Sequence, residues 1–233
     1  MTKTDLRPIC YACSLKATTE EHVPPKCLFP ERCDMPNGED VRRGLIKVPS
    51  CVEHNTAKSR DDEHLMFVLA MTLQAGETGG QQFSTKIMRA IARRAALMHQ
   101  ILGHSAPIVL RDEKTGETFE TIAVRADWER IERSLRLVAL GLHRHHFGES
   151  WTGPYKLMLE FSRFLTDERA PKWNSIIQDI SEKADLLFKD AALHGENPAI
   201  FTYQVVDEPA TATRVMRLHF YGGNRVFAIF GVA

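Results

Sequence analysis

The chain has 233 residues, of which 43% are hydrophobic and 26% are charged, and these values argue against a disordered, fibrous or membrane protein. Lys plus Arg and Asp plus Glu number 30 each, so the net charge argues against a passive, charge-driven nucleic-acid binder. No stretch approaches the ~20 consecutive apolar residues of a membrane span, and the first residues lack the apolar region of a secretory signal. The sequence therefore predicts a cytoplasmic protein without a membrane partner.

The amino-terminal quarter of the chain carries every cysteine. These five residues are Cys10, Cys13, Cys27, Cys33 and Cys51. An odd number of cysteines in a cytosolic protein favours metal binding over disulfides. Cys10-x-x-Cys13 and Cys51-x-x-His54 form two short chelating turns, which is typical of a structural Zn²⁺ held by four tetrahedral ligands. Cys27 and Cys33 are interpreted as packing residues, with exchange of one of them for His54 as the alternative.

Helical patterns follow this region. A helix is predicted from His54 to about Gln74, ending at the sequence AGETGG. Residues 83–102 predict one amphipathic helix that carries Lys86, Arg89 and Arg93 on its polar face. That basic face is either solvated or in contact with phosphate.

The rest of the chain alternates between the two element types. Residues 108–124 predict a hairpin with its turn near 114–116, and a helix runs from its cap at Asp127 to Gly148. Helices are predicted over 155–166 and 172–191, and three strands at the carboxyl end. The predicted fold class is α+β, in which a mainly helical region precedes a C-terminal antiparallel β-sheet.

Residues between and beside the two chelating turns carry the candidate chemistry. Glu21 and His22 are adjacent near the end of a predicted strand, and such neighbours point in different directions. One of them can ligate a hard divalent ion while the other activates water. Asn55 directly follows the second turn, at the start of a helix. Carboxylate and amide oxygens are ligands that suit Mg²⁺ or Mn²⁺.

Taken together, these motifs resemble the HNH endonuclease superfamily, in its zinc-knuckle, ββα-metal branch. The resemblance covers about residues 8–64. It rests on CxxC, then EHVPPK, then LIKVPSC followed by HNTAKSRDDE. The pattern departs from the family at its middle Asn, because Asn37 is the only Asn between His22 and Cys51.

The resemblance implies a metal-dependent endonuclease that hydrolyses phosphodiester bonds in nucleic acid, with DNA as the expected substrate. His22 would be the general base, and Glu21 and Asn55 would hold a catalytic Mg²⁺ or Mn²⁺. Cys10, Cys13, Cys51 and His54 would hold the structural zinc. Residues 1–65 would form the nuclease module, and residues 66–233 an α+β accessory domain for substrate positioning or homo-oligomer formation.

A non-enzymatic function is the alternative. In that interpretation the zinc knuckle binds nucleic acid or a protein partner, and the Glu21–His22 pair caps a strand and forms a salt bridge with Lys26 or Arg60. Asp62 and Lys58 leave two possibilities open as well. They either assist at the metal and the phosphate, or they have capping and surface roles.

Overall fold

Two short strands and a helix open the fold in a computed structural model that describes residues 8–112, 115–162 and 168–232. Strand β1 (Thr19–His22) pairs antiparallel with β2 (Lys47–Ser50), and His22 lies opposite Lys47. Helix α1 (Val52–Thr56) follows β2 after one residue. The short apolar run at residues 44–48 predicts a strand, and the observed strand begins slightly later, at Lys47.

Four helical segments follow: α2 (Ser59–Met71), α3 (Gly76–Gln82), α4 (Met88–Arg93) and α5 (Ala95–Leu102). A π-helical segment at 83–87 connects α3 to α4. The helix predicted from His54 to about Gln74 is divided into α1 and α2, and it ends at Met71, near its predicted end. Most of the AGETGG sequence lies in α3, so the prediction that it is non-helical is wrong. At Gly79 a Cβ would lie 2.3 Å from the Cβ of Ala75, so glycine allows a close approach there.

The predicted helix over 83–102 is interrupted at Arg94, whose φ of −137° and ψ of 83° are not helical. Two of the three residues on its basic face make contacts within the protein. Lys86 donates to the Cys27 carbonyl at 2.9 Å, and Arg89 forms an ion pair with Asp34 through both guanidinium nitrogens. These contacts fasten the helix to the amino-terminal region.

A hairpin and a long helix come next, as predicted. The hairpin consists of β3 (Ser105–Arg111) and β4 (Thr118–Val124), and part of its predicted turn, residue 114, lies outside the described residues. Helix α6 (Trp128–Phe147) begins at its Asp127 cap and ends at Gly148, where φ is +76°. This left-handed backbone at the end of a helix favours glycine.

The carboxyl-terminal part is a five-stranded antiparallel sheet in the order β5-β9-β8-β7-β6. Its strands are β5 (Tyr155–Leu159), β6 (His194–Asn197), β7 (Phe201–Glu208), β8 (Thr213–Phe220) and β9 (Asn224–Phe230). The predicted helix over 155–166 is wrong, because residues 155–159 form β5, and 163–167 lie outside the described residues. Helix α7 (Ala170–Leu187) confirms most of the predicted helix at 172–191.

The two faces of the sheet pack against different partners. One face joins α6 and the amino-terminal strands in a single hydrophobic cluster that includes Val23, Leu135 and Phe230. The opposite face packs on α7 through Phe188 and Phe227. The predicted domain boundary at residue 65 falls within α2, which contributes to the first cluster.

Helices and antiparallel sheets together make the fold α+β, as predicted. Within the described part of the chain, no helix is both long and apolar enough to cross a membrane.

Candidate metal centre

Four predicted zinc ligands meet at the base of the β1–β2 hairpin. The ligand atoms of Cys10, Cys13, Cys51 and His54 all lie within 4.8 Å of one another. Cys13 Sγ is 3.9 Å from Cys51 Sγ, and His54 Nδ1 is 3.7 Å from Cys10 Sγ and 3.2 Å from Cys51 Sγ. Tetrahedral zinc with Zn–S bonds of about 2.3 Å requires sulfur atoms about 3.8 Å apart, so these spacings fit such an ion.

Backbone hydrogen bonds hold the two chelating turns in place. The first turn closes through Cys10 N and the Leu15 carbonyl at 2.8 Å. Tyr11 N donates to the Pro49 carbonyl of β2 at 2.9 Å, which ties the first turn to the strand that leads into the second. The second turn is the start of α1, where Cys51 is the residue before the helix. The turns converge because β2 connects them.

The thiols of this cluster differ in how readily they ionise. Burial opposes ionisation of Cys10, but hydrogen bonds from the backbone at Ala12 and Cys51 outweigh burial and lower its pKa. Burial raises the pKa of Cys13 to about 11. A bound cation favours the thiolate of every cysteine ligand, so the cluster is suited to a thiolate-binding metal.

Cys27 and Cys33 stay outside the cluster. The Cys27 thiol lies 3.5 Å from the Asp62 carbonyl, and burial raises its pKa to about 12. Cys33 is exposed and lies near Glu31 and Asp34 in a second group of possible metal ligands. Because Arg89 engages both oxygens of Asp34, that group is an ion pair rather than a metal site.

Glu21 points into the protein, where it meets a lysine. The Glu21 residue is 7% exposed, and its Oε1 lies 3.0 Å from Nζ of Lys58. The same Nζ is 2.6 Å from Oδ2 of Asp62, whose Oδ1 accepts from Ser134 of α6 at 3.1 Å. Two buried carboxylates therefore share one buried ammonium.

Burial is the largest influence on the pKa of both acids in this Glu21–Lys58–Asp62 triad. It raises the pKa of Glu21 and the pKa of Asp62, although the nearby Lys58 opposes the rise in each case. Lys58 occupies the cap position of α2 through its backbone alone, and neither its side chain nor that of Asp62 lies on a solvated surface. The sequence did not indicate Ser134 as a partner, because no motif marks it.

His22 lies on the neighbouring position of β1 and is half-buried. Within the described residues, no group is hydrogen-bonded to its ring. Burial lowers the pKa of His22, and the positive charges of Lys47 and Lys26 lower it further. The imidazole is therefore neutral at neutral pH, which is the form that accepts a proton.

Asn55 connects α1 to β1. Its Nδ2 donates to the backbone carbonyl of Glu20 at 3.2 Å, two residues before His22. The amide oxygen is thereby left for another partner. The described contacts of Glu21 are with Lys58 and not with Asn55, so the structure does not bring these two predicted ion ligands into contact. Asn37 is exposed and lies in a turn away from this hydrogen bond.

No protein-family model matches the chain, and no curated protein or solved structure is significantly similar to it.

Proposed function

We propose that the protein is a metal-dependent endonuclease of the HNH type that hydrolyses phosphodiester bonds in nucleic acid. The observation that carries the proposal is the 3.2 Å hydrogen bond between Asn55 and the Glu20 carbonyl, beside the Cys/His cluster. It joins the helix after the second chelating turn to the strand that carries His22. DNA is the expected substrate through the family resemblance.

In this proposal His22 is the general base. Its ring is neutral at neutral pH and has free nitrogens, so it can take a proton from a water molecule that attacks the phosphorus. Lys47 lies opposite His22 in the β1–β2 register, and its exposed ammonium pairs with Glu20 at 3.3 Å. In this proposal the ammonium leaves that exposed pair to contact the phosphate.

The ion ligands proposed are Asn55 and Glu21. Asn55 Nδ2 is engaged with Glu20, so Oδ1 is the atom that remains for a cation. Oε1 of Glu21 contacts Lys58, so in this proposal the ion is held through Oε2. A bound Mg²⁺ or Mn²⁺ supplies positive charge against the charge that develops on the phosphate and the leaving oxygen.

We also propose that the Cys/His cluster holds a structural zinc. Three sulfurs and one imidazole nitrogen make a complete tetrahedral set, which keeps no position open for substrate. Its role in this proposal is to fix β1 and α1 relative to each other.

A second function is favoured by the Glu21–Lys58 contact. With its carboxylate buried against an ammonium, Glu21 can be a purely structural residue. The protein would then be a non-catalytic zinc-knuckle module that binds nucleic acid or a protein partner.

Cleavage assays separate these two functions. Purified protein is incubated with supercoiled plasmid and with single-stranded RNA, in Mg²⁺, in Mn²⁺ and in EDTA. We expect cleavage only with a divalent ion, and at least a ~100-fold slower rate in His22→Ala, since a general base contributes about 10²–10⁴-fold. The exposed His99 provides the matched control, and His99→Ala should cleave as the wild type does.

Two results would contradict the endonuclease. Intact plasmid and RNA under every metal would leave the binding module as the function. Cleavage that persists at the wild-type rate in His22→Ala would refute the role assigned to His22. Zinc analysis of each variant verifies that the cluster is retained.

A further inference from the structure

A polar cleft of about 860 Å³ lies beside α2. Its walls come from α2, the junction between α4 and α5, and the segment between β4 and α6. Neither the proposed base nor the Cys/His cluster lines it. Along the chain, however, α2 begins only four residues after Asn55, so the cleft is a neighbour of the proposed catalytic hairpin in sequence.

The cleft is rich in arginine side chains. Four of them line it, namely Arg60, Arg94, Arg125 and Arg130, together with the carboxylates of Asp61, Glu63 and Asp127. The chain as a whole carries equal numbers of positive and negative residues. An excess of guanidinium groups in one cleft is therefore a local feature.

Each of these carboxylates already has a partner. Asp61 forms ion pairs with Arg130 at 2.8 Å and with Arg133 at 2.9 Å, so one negative charge serves two guanidinium groups. Glu63 pairs with Arg94 at 2.6 Å. Asp127 caps α6 by accepting from the backbone of Arg130. The acids of the cleft are consequently committed to contacts within the protein.

Two of the arginines have no such partner. Across the described residues, neither Arg60 nor Arg125 has a side-chain hydrogen bond or an ion pair, and both are exposed. Their planar guanidinium groups match the oxygens of a phosphate.

His64 also lines the cleft, but its Nε2, which has no hydrogen-bond partner in the described part of the chain, is shielded from solvent. A ligand in the cleft therefore does not reach that atom in this structure. Contact with such a ligand falls to the exposed guanidinium groups of Arg60 and Arg125.

We propose that this cleft binds a phosphate of a nucleic-acid strand, through Arg60 and Arg125. This inference rests on the proposed function, which identifies the strand as the nucleic-acid substrate. The cleft then holds the phosphate backbone of that strand beyond the bond that is cut. It thereby extends the substrate site from the β1–β2 hairpin along α2.

Fluorescence anisotropy tests the proposal by binding alone. A labelled single-stranded oligonucleotide is titrated with the full chain at several salt concentrations, without added divalent ion. For Arg60→Ala/Arg125→Ala we expect a Kd at least ~5-fold weaker and a salt dependence reduced by about one phosphate contact per arginine removed. Both side chains are exposed, so the fold should persist, and circular dichroism verifies this.

The matched control removes two positive charges from the other side of the sheet. Lys183 lies on α7, Lys189 lies two residues beyond its end, and both are exposed. Lys183→Ala/Lys189→Ala should leave the Kd and its salt dependence unchanged. An equal loss of oligonucleotide affinity in both double variants would show only general electrostatic attraction and would overturn the proposal. An unchanged Kd in both variants would also overturn it.

Poly-glutamate as a competitor separates phosphate recognition from binding of any polyanion. We expect the Arg60→Ala/Arg125→Ala change to weaken binding of the oligonucleotide far more than binding of poly-glutamate. Equal losses for the two would identify an acidic protein segment as an equally good ligand and contradict phosphate recognition.

The outcome is independent of the endonuclease test. If the double variant binds normally while wild-type cleavage depends on His22, the cleft proposal fails and the function stands. If no cleavage occurs but the double variant loses binding, the endonuclease fails and the cleft remains a nucleic-acid site.

Discussion

The Cys/His cluster and the Glu21–His22–Asn55 group were predicted from the same stretch of sequence. In the structure, the side chains of the first group converge on one point, whereas those of the second contact different partners. The four ligand atoms of the cluster meet within 4.8 Å. Glu21 instead pairs with Lys58, while Asn55 reaches the Glu20 backbone. Residues on tight turns can aim several side chains at one point, whereas adjacent residues of a strand point to opposite faces.

Burial explains what happens to Glu21. A carboxylate placed on the inner face of β1 must be paired, because an unpaired buried charge is strongly unfavourable. Lys58 supplies the pairing charge and serves Asp62 at the same time. The comparison therefore separates a cluster of ligand atoms that is suited to a metal ion from a group in which a lysine supplies the positive charge.

The largest effect is expected at the cluster. Cys10→Ser should abolish the binding of about one tightly held zinc per chain and unfold the amino-terminal hairpin, since structural zinc contributes roughly 10 kcal/mol or more to such folds. Metal analysis and thermal unfolding measure both losses. Cys33→Ser is the matched control, because Cys33 is exposed and outside the cluster. Zinc content that is the same in Cys10→Ser and the wild type would contradict the assignment.

The next effect is expected in the Glu21–Lys58–Asp62 triad. Lys58→Met leaves two buried carboxylates without their shared cation, which should lower the free energy of unfolding by ~3–5 kcal/mol at pH 7. Lys47→Met removes an exposed lysine that pairs with exposed Glu20, and should change stability by less than ~0.5 kcal/mol. Equal stabilities for the two variants in urea unfolding would refute the triad.

The same variant has a predicted pH dependence. Burial raises the pKa of Glu21 and of Asp62 in the folded state, and removing Lys58 raises both further. The folded protein then binds more protons than the unfolded chain, so its stability falls as pH rises. The deficit of Lys58→Met should be complete above the folded-state pKa values and shrink as pH falls through them. A deficit independent of pH would show that the carboxylates do not cause it.

A smaller effect is expected where α6 meets the hairpin. A Cβ at Gly141 would lie 2.6 Å from a methyl carbon of Val23, the residue after His22. Gly141→Ala should therefore cost ~1–3 kcal/mol through overpacking. Gly80 lies in α3 with nothing near its Cβ position, so Gly80→Ala should stabilise by ~0.5–1 kcal/mol. Stabilisation by Gly141→Ala would contradict this packing.

The smallest stability effect is expected at Asn55. Asn55→Ala removes one partly exposed hydrogen bond, so it should cost no more than ~1 kcal/mol, but under the proposed function it should also stop cleavage. Asn37→Ala, at an exposed turn position, is the control for both measurements. An Asn55→Ala protein that cleaves normally would remove Asn55 from the site.

How far the sequence predicted the site follows from these contacts. Spacing alone located Cys10, Cys13, Cys51 and His54, because each pair lies on a short turn. Alternation along a strand correctly indicated that Glu21 and His22 point differently. Lys58 as the partner of Glu21 was out of reach, because choosing it over Lys26 or Arg60 requires knowing how α2 packs on β1.

The fold shows the same limit. Capping chemistry placed both ends of α6, since Asp127 and Gly148 act locally. Residues 155–159 contain leucine and methionine, which favour helices, but pairing with β9 makes them a strand. The glycines of AGETGG predicted a break, but most of that sequence forms α3, and the preceding helix ends slightly earlier, at Met71. The error at β5 arose where residues distant in sequence decide the local conformation.

X-ray absorption at the zinc edge tests the central claim most directly, namely that Cys10, Cys13, Cys51 and His54 form one metal centre. In the purified protein the account predicts three sulfur ligands at about 2.3 Å and one imidazole nitrogen at about 2.0–2.1 Å. Four sulfurs would bring Cys27 or Cys33 in place of His54 and contradict the cluster. Oxygen and nitrogen ligands alone, or no bound zinc, would show that these four residues do not form a zinc centre.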